Sequence, residues 1–327
     1  MSQPEEPPHA PAASQQSGDR LAKGTAAGSV PPEAIKAIPV RHYGRWIGAA
    51  VVLALLALLA SAFINADINW NVVGEYLTYD TIIEGAGKTL WITVASMALG
   101  LVLGLILAVM RLSGNPVLAS VAWGYTWFFR GTPVLVQLFL WFNLSLIFET
   151  VNFGFYKDEM NDFMTPFLAA LLGLGLNEAA YMSEIARAGI LSVDRGQTEA
   201  AHALGMNSAK TMRRIVLPQA MRVIVPPTGN EFINMLKTSS LAYAIQYTEL
   251  FYAGNAISAR NLAVMEILIV VSVWYLVLTT VFSIGQYYLE RHFAKGSDHG
   301  QPPTPLQRIK AHVLSLRNPS QVGGTTV

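Results

Sequence analysis

Residues 199–221 read EAAHALGMNSAKTMRRIVLPQAM and lie in a basic stretch between two long, mostly apolar segments. The first half of this stretch is rich in alanine, which favours a helix, and Gly205 suits the left-handed conformation at a helix end. Asn207 or Ser208 can cap a second helix, which Pro218 stops or kinks. The stretch therefore predicts a short helix, a tight turn and a second helix.

The composition of the whole chain is typical of a membrane protein. Of its 327 residues, 52% are hydrophobic and 13% are charged, and the mean hydropathy is +0.38. A soluble domain carries about 25% charged residues, so the composition argues against a large soluble enzyme. The net charge of +1 argues against a nucleic-acid-binding surface, and the lack of cysteine excludes disulfides and thiolate metal sites.

Six segments are candidates for transmembrane helices, each of which needs about 20 apolar residues. Four of them contain no charged residue apart from Arg45 at the edge of the first, and two are interrupted by ionisable side chains. The predicted helices are 45–65, 89–110, 131–148, 166–188, 223–248 and 267–289. Residues 112–129 are also uncharged, but Gly114, Asn115, Pro116 and three aromatic residues favour a stretch along the membrane surface.

The distribution of positive charge predicts the topology, because cytoplasmic segments are enriched in Lys and Arg. With the N-terminus inside, only Lys88, Lys157 and Arg260 fall in external segments. Both termini are therefore predicted to be cytoplasmic. Residues 1–44 are rich in Pro, Ala, Ser and Gln and are predicted to be a disordered tail, and 291–327 form a second cytoplasmic tail. The apolar segment near the N-terminus is too long for a signal peptide.

Motifs for catalysis and metal binding are missing. The sequence Gly87-Lys88-Thr89 resembles the end of a phosphate-binding loop, but Ile82 stands where that loop requires glycine. The six histidines show no metal-ligand spacing, and no nucleophile elbow occurs. The sequence therefore predicts no enzyme, no metal site and no cofactor bound by this chain.

Charged residues inside the predicted membrane segments each cost about 2.5–3.5 kcal/mol unless they are paired or face water. Glu184 precedes Arg187 by three residues, which favours a local ion pair, and Glu231 could likewise pair with Lys237. Arg130 stands at the start of the predicted helix 131–148, so it is interpreted as a structural cation at the cytoplasmic face.

The 199–221 stretch resembles the EAA loop of ABC-importer permeases, in which EAA is followed by Gly and then by I-x-LP. The pattern is carried here by Glu199, Ala200, Ala201, Gly205, Ile215, Leu217 and Pro218. The segments around it are FFRGTPVLVQLF (128–139), NEAAYMSEIARAGI (177–190), NEFINMLKTSSL (230–241) and TEL (248–250). Together, over residues 85–290, they are similar to the polar amino-acid uptake subfamily, the histidine-, glutamine-, glutamate- and arginine-type permeases.

The resemblance implies an all-α integral membrane protein with the type I ABC-importer permease core of five transmembrane helices, to which 45–65 adds an extra one. It implies a non-enzymatic permease subunit of an ATP-driven importer for polar amino acids in the bacterial inner membrane. Expected partners are two ATPase subunits that bind Mg-ATP, a second permease chain, identical or not, and an external amino-acid-binding protein.

The loop at 195–222 would then be the element that couples ATP hydrolysis to the membrane helices, with Glu199 anchoring it in a groove of the ATPase. Two plainer interpretations stay open. Glu199 could complement its own helix N-terminus, and the loop could be a passive basic segment. In the second case the chain would be a stand-alone channel or an ion-coupled secondary transporter.

Glu178 is the leading candidate for contact with substrate, because it has no partner nearby in sequence and a free amino acid presents an ammonium group. Thr238, Ser239 and Ser240 could donate hydrogen bonds to the substrate carboxylate or could instead pack helices together. Tyr181, on the same helical stripe as Glu178, completes the candidate pathway together with Glu184. Thr238 replaces an acidic residue common in the family, so no particular amino acid is predicted.

Gly100 and Gly104 form a GxxxG pattern in the predicted helix 89–110. Such a pattern permits close contact between membrane helices. It is interpreted here as a packing surface.

Overall fold

The computed structural model describes residues 43–152 and 157–293, with only the main chain of residue 45. The chain divides into two units, 1–66 and 67–327, which are described separately. The described part of the first unit is helix α1 (Tyr43–Ile64), and its residues 46–64 are long and apolar enough to cross a membrane. Most of both predicted tails, 1–44 and 291–327, lies outside the described residues.

The second unit is almost entirely helical. Its helices are α2 (Trp70–Leu77), α3 (Asp80–Leu112), α4 (Pro116–Gly131), α5 (Val134–Phe142), α6 (Met160–Phe163), α7 (Pro166–Leu191), α8 (Arg195–Ala203), α9 (Ser208–Thr211), α10 (Leu217–Thr238), α11 (Leu250–Asn261) and α12 (Val264–Phe293). The strands β1 (Thr150–Asn152) and β2 (Lys157–Glu159) form a small antiparallel pair, in which Val151 opposes Asp158. This pair adds a minor β element to the predicted all-α fold. Like α1, helices α3 and α12 are long and apolar enough to span a bilayer.

Helices α3 and α7 form the centre of this unit and approach each other closely at glycine. A Cβ atom built on Gly100 would lie 2.6 Å from Cγ of Glu178, and one on Gly104 would lie 2.5 Å from Cβ of Met182. From the other side, a Cβ on Gly175 of α7 would meet the Leu99 side chain. The interpretation of the GxxxG pattern as a packing surface is therefore confirmed.

Helices α4 and α5 run one after the other along α7, in the direction opposite to it. Ala122 of α4 packs with Ala179, and Leu138 of α5 packs against Gly173, nearer the start of α7. The prediction of one helix over 131–148 was wrong, because α5 has nine residues and is about 13 Å long, less than half a bilayer. Residues 112–129 fall mostly in α4, which packs against both α3 and α7, and their placement along the membrane surface stays a prediction.

The break between α4 and α5 follows from its sequence. Thr132 is extended, and Pro133 supplies no N–H to continue the helix. The side-chain amide of Gln137 donates to the carbonyls of Phe129 and Thr132, and the amide of Asn177 also donates to the Phe129 carbonyl. These bonds satisfy carbonyls that the end of α4 leaves without helical partners.

Pro218 does not stop the second helix of the loop. It occupies the first turn of α10, where its missing N–H costs little, and a π-helical segment at Met212–Val216 joins α9 to α10 without a gap. Helical structure therefore continues from residue 208 to residue 238 and then tightens into a 3₁₀ segment at Ser239–Ile245. The predicted span 223–248 thus ends in 3₁₀ geometry.

Two consecutive prolines interrupt the hydrogen bonding of α10, and α12 supports the helix at that point. The Gln286 amide donates to the Pro226 carbonyl at 3.2 Å and to Oδ1 of Asn230 at 2.9 Å. Gly229 leaves room for this side chain, since a Cβ there would lie 2.7 Å from Cγ of Gln286. These hydrogen bonds join the proline segment of α10 directly to α12.

At the opposite end from the loop, α11 is held by a buried carboxylate that the sequence analysis did not single out. Glu249 is 0% exposed and accepts hydrogen bonds from the N–H groups of Phe251 and Tyr252 and from the hydroxyls of Thr89 and Tyr275. These bonds join α11 to α3 and α12. The first turn of α2 is tied to α12 in a similar way, because the Asn69 N–H donates to Glu266 and so lowers the pKa of that exposed carboxyl.

Candidate functional site

A polar cavity of about 540 Å³ opens between α5, α7 and α10. Its lining residues are Val134, Leu174, Asn177, Glu178, Tyr181, Glu231, Asn234, Met235, Lys237 and Thr238. Two carboxylates and one ammonium group thus line the cavity, within helices that pack as membrane helices do. Such a concentration of ionisable groups marks a site that is either filled with water or built to receive a charged ligand.

Glu178 lies on the face of α7 that meets α3 and reaches the cavity from there. It is 4% exposed, its stem packs against Gly100, and its Oε1 atom has no hydrogen-bond partner within the described part of the chain. A buried carboxylate oxygen without a partner is energetically costly, so this atom is available to accept a hydrogen bond from a ligand. An ammonium group entering the cavity would supply that donor.

Glu184, in contrast, is committed to other protein groups. Its carboxylate lies 2.7 Å from the Arg187 guanidinium and 3.5 Å from that of Arg111 on α3. The predicted pairing with Arg187 is therefore confirmed, and Glu184 is absent from the cavity lining. The pairing proposed for Glu231 and Lys237 was wrong, since these two side chains form no ion pair although both line the cavity.

Of the three small polar residues considered for the substrate carboxylate, only Thr238 lines the cavity. The hydroxyl of Ser239 is buried and donates to the Leu236 carbonyl, and that of Ser240 donates to the Lys237 carbonyl. Both serines bond within their own helical turn, as hydroxyls in membrane helices commonly do.

Arg130 was misplaced by the sequence analysis. Its Cζ atom lies 5.2 Å from the centre of the Tyr181 ring, and Tyr181 lines the cavity. Arg130 is therefore level with the middle of α7, although it lies in the last turn of α4, at the break before α5. Arg130 was predicted to lie at the cytoplasmic face because a cation normally marks the limit of an apolar segment.

A second candidate site is the loop at 195–222. Asp194 caps α8, Asn207 caps α9 by accepting from the Lys210 N–H, and Gly205 adopts a φ of 76°. The predicted helix, left-handed turn and capped second helix are therefore confirmed. Asp194 occupies the capping position at the start of α8, whereas Glu199 lies one turn further along and is exposed.

The turn of this loop presents an apolar tip. Leu204 is 83% exposed, while Ala201 is buried and its carbonyl accepts a hydrogen bond from the Met206 N–H. The His202 ring donates through Nδ1 to the Met206 carbonyl, which closes the turn. A rigid turn with a projecting leucine has the form of a helix end that docks in a groove.

A search of the residues that the structure describes finds no cluster of His, Cys, Asp and Glu that could hold a metal ion.

Comparisons with known proteins agree with this geometry. The family model for the binding-protein-dependent transport system inner membrane component matches residues 100–295. The arginine transport system permease protein of Corynebacterium glutamicum is 50% identical over 280 residues, covering 85% of this chain and 89% of the relative. The glutamine transport system permease protein of Escherichia coli K12 is 38% identical over 69% of this chain and 97% of its own length.

Solved structures give the same result. The crystal structure of an amino acid ABC transporter with histidines aligns with a TM-score of 0.61 at 34% identity, covering 69% of this chain and all of that one. An inward-facing structure of the MetNI methionine ABC transporter shares the fold, with a TM-score of 0.52 at 18% identity over 65% of this chain and 95% of that one. The chain therefore belongs to the family of inner-membrane components of binding-protein-dependent transport systems and is a permease subunit of an amino-acid ABC importer.

Proposed function

We propose that this permease carries cationic amino acids through the cavity between α5, α7 and α10, and that the loop at 195–222 couples this movement to ATP hydrolysis on a separate subunit. One observation carries the proposal. The helical structure that begins at the loop continues without a gap into α10, whose far end supplies Glu231, Lys237 and Thr238 to the cavity.

The charges of the cavity favour a substrate with two cationic groups. Glu178 and Glu231 offer two carboxylates, one for the ammonium group that every free amino acid carries and one for a cationic side chain. The relative that is 50% identical is an arginine permease, which supports the same choice. L-arginine is therefore the first substrate to test.

The exposed tip at Leu204 is the contact that we assign to the ATPase, with Glu199 as its charged neighbour. In this arrangement the loop lies on the cytoplasmic side, both chain termini are cytoplasmic, and substrate arrives from an external binding protein. A second permease chain completes the assembly. Two permease chains provide two cavities and two loops, one loop for each of two ATPase subunits.

Copurification and reconstitution test the coupling role. The tagged chain is isolated from its own membrane in mild detergent, and accompanying subunits are identified by mass spectrometry. We expect an ATPase with a phosphate-binding loop, and substrate-stimulated ATP hydrolysis after reconstitution in vesicles. Gly205→Asp should leave folding intact, because aspartate tolerates a positive φ better than most residues, but should abolish the stimulation by placing a charge at the docking turn.

Gly114→Asp is the matched control. Gly114 lies in the turn between α3 and α4, where a side chain would meet open space. This variant should keep wild-type coupling and the same elution volume in size exclusion. Stimulation that survives in Gly205→Asp, or ion flux in vesicles that lack ATP, would contradict the assignment of the loop and favour a stand-alone transporter.

A further inference from the structure

Free amino acids carry a carboxylate as well as an ammonium group, and the groups expected to bind it are largely engaged elsewhere. The hydroxyls of Ser239 and Ser240 donate to carbonyls of their own helix, and Ser239 is 0% exposed. Thr238 contributes one hydroxyl, which is a weak match for a full negative charge. The cavity therefore needs a cation for the substrate carboxylate.

Arg130 is such a cation. It is exposed, and among the described residues no carboxylate or carbonyl accepts a hydrogen bond from its guanidinium. Its recorded contact is with the face of the Tyr181 ring, one of the residues lining the cavity. An exposed guanidinium halfway along membrane helices is expensive unless an anion or water meets it, and so its retention at this depth calls for a ligand.

The backbone at Arg130 is held at a fixed depth in the bundle. The carbonyl of the preceding residue, Phe129, accepts from the amides of Gln137 and Asn177, the latter at 2.7 Å. Asn177 is itself a lining residue and lies about 17 Å from one end of α7 and about 21 Å from the other. The backbone next to Arg130 is thus held near the middle of the bundle, and its guanidinium, which is not itself among the lining residues, reaches the cavity wall at Tyr181.

We propose that Arg130, stacked on Tyr181, binds the α-carboxylate of the transported amino acid, while Glu178 binds its ammonium group. The planar guanidinium can donate two parallel N–H bonds to a carboxylate, and a stacked arginine loses little freedom on binding. The proposal rests on the proposed function and adds the group that distinguishes an amino acid from a simple amine.

Lys237 is the competing cation, since it lines the cavity and has no ion-pair partner among the described residues. It also lines a second cavity of about 510 Å³ between α10 and α12, together with Asn230, Gln286 and Glu290. A flexible ammonium shared between two cavities is less suited to fix the carboxylate in one orientation. The experiment therefore separates the two residues.

The test measures direct binding to the purified permease with its ATPase subunits and without the external binding protein, so that the permease alone discriminates. The probes are L-arginine and agmatine, which is arginine without its carboxylate, and dissociation constants are obtained by titration calorimetry. The wild type should bind L-arginine more tightly than agmatine. Arg130→Ala should weaken the binding of L-arginine about tenfold or more and leave the binding of agmatine unchanged. The two affinities should therefore converge.

Arg130→Lys should restore part of the preference, because the charge is kept while the paired donors are lost. Arg260→Ala is the matched control, since Arg260 is an exposed arginine in the last turn of α11, at the opposite end of the bundle from the loop. The Arg260→Ala variant should retain the wild-type ratio of the dissociation constants for L-arginine and agmatine. Size exclusion and thermal unfolding verify that each variant is folded.

Three results would overturn the inference. Arg130→Ala could weaken the binding of L-arginine and agmatine equally, which would indicate a purely structural role. It could also leave both dissociation constants, and so their ratio, unchanged. Lys237→Ala could remove the preference while Arg130→Ala keeps it, which would assign the carboxylate to Lys237. A wild type that binds and imports no amino acid is a different outcome, because it refutes the proposed function itself and the inference with it.

Discussion

Replacing Gly104 by alanine tests the close approach of α3 and α7. The new Cβ would lie 2.5 Å from Cβ of Met182, 3.0 Å from the Ala179 carbonyl oxygen and 3.1 Å from the Ser183 nitrogen. Two of these three atoms belong to the backbone of α7, so no side-chain rotation relieves the clash. The two helices must therefore move apart.

The cost can be estimated from the distances. Non-bonded carbon atoms attract best at about 3.5–4.0 Å, so the clash with Met182 requires a separation of roughly 1 Å. A gap of that size forfeits about a quarter to a half of the local dispersion energy, and overpacking of this kind typically costs about 1–3 kcal/mol. At about 2–4 °C per kcal/mol, the midpoint of thermal unfolding should fall by about 2–12 °C.

Thermal unfolding in detergent, followed by the loss of the monodisperse peak in size exclusion, measures the change. Gly87→Ala is the control on the same helix, because a Cβ at Gly87 meets nothing within 4 Å. It should be neutral or raise stability by about 0.5–1 kcal/mol, since alanine is the better helix former. If Gly104→Ala proved as stable as Gly87→Ala, the packing deduced for α3 and α7 would be refuted.

Two further variants test the anchors of α10 and α11. Glu249→Ala should lower the unfolding midpoint more than Glu249→Gln, because alanine leaves the donors from Thr89, Tyr252 and Tyr275 without an acceptor while glutamine retains one; equal midpoints would exclude the anchoring role. Gln286→Ala should preserve folding but reduce substrate-stimulated ATP hydrolysis at unchanged basal hydrolysis, because the proline segment of α10 loses its hydrogen bonds to α12. Normal stimulation in reconstituted vesicles would show that the link is dispensable.

Features of this chain that depend on a few neighbouring residues were predictable from sequence. The turn at Gly205, the cap at Asn207 and the ion pair between Glu184 and Arg187 each involve groups within four residues of one another. For such features the local geometry of a helix fixes which groups meet. The role of the loop as a whole was predicted from the family resemblance and stays a prediction.

Features that depend on packing between distant segments were not predictable. Glu231 and Lys237 are six residues apart in α10, which places them about 120° apart around the helix, so both can line the cavity without meeting each other. Arg130 was placed at a membrane boundary because charge usually ends an apolar segment. The hydrogen bond from Asn177 to the Phe129 carbonyl, across 48 positions in sequence, and the contact of Arg130 with the Tyr181 ring place it level with the middle of α7.

In the proposed coupling, the continuous helical structure from residue 208 to residue 238, with its π-helical segment and two prolines, would act as a lever. Between Ser208 and Lys237 it measures about 44 Å, so a tilt of only about 5° at the loop moves the cavity end by about 4 Å. That displacement is comparable to the width of the ammonium and carboxylate groups that the cavity is proposed to hold. In the proposed mechanism, a small rocking motion of this segment would therefore be enough to make or break contact with a substrate.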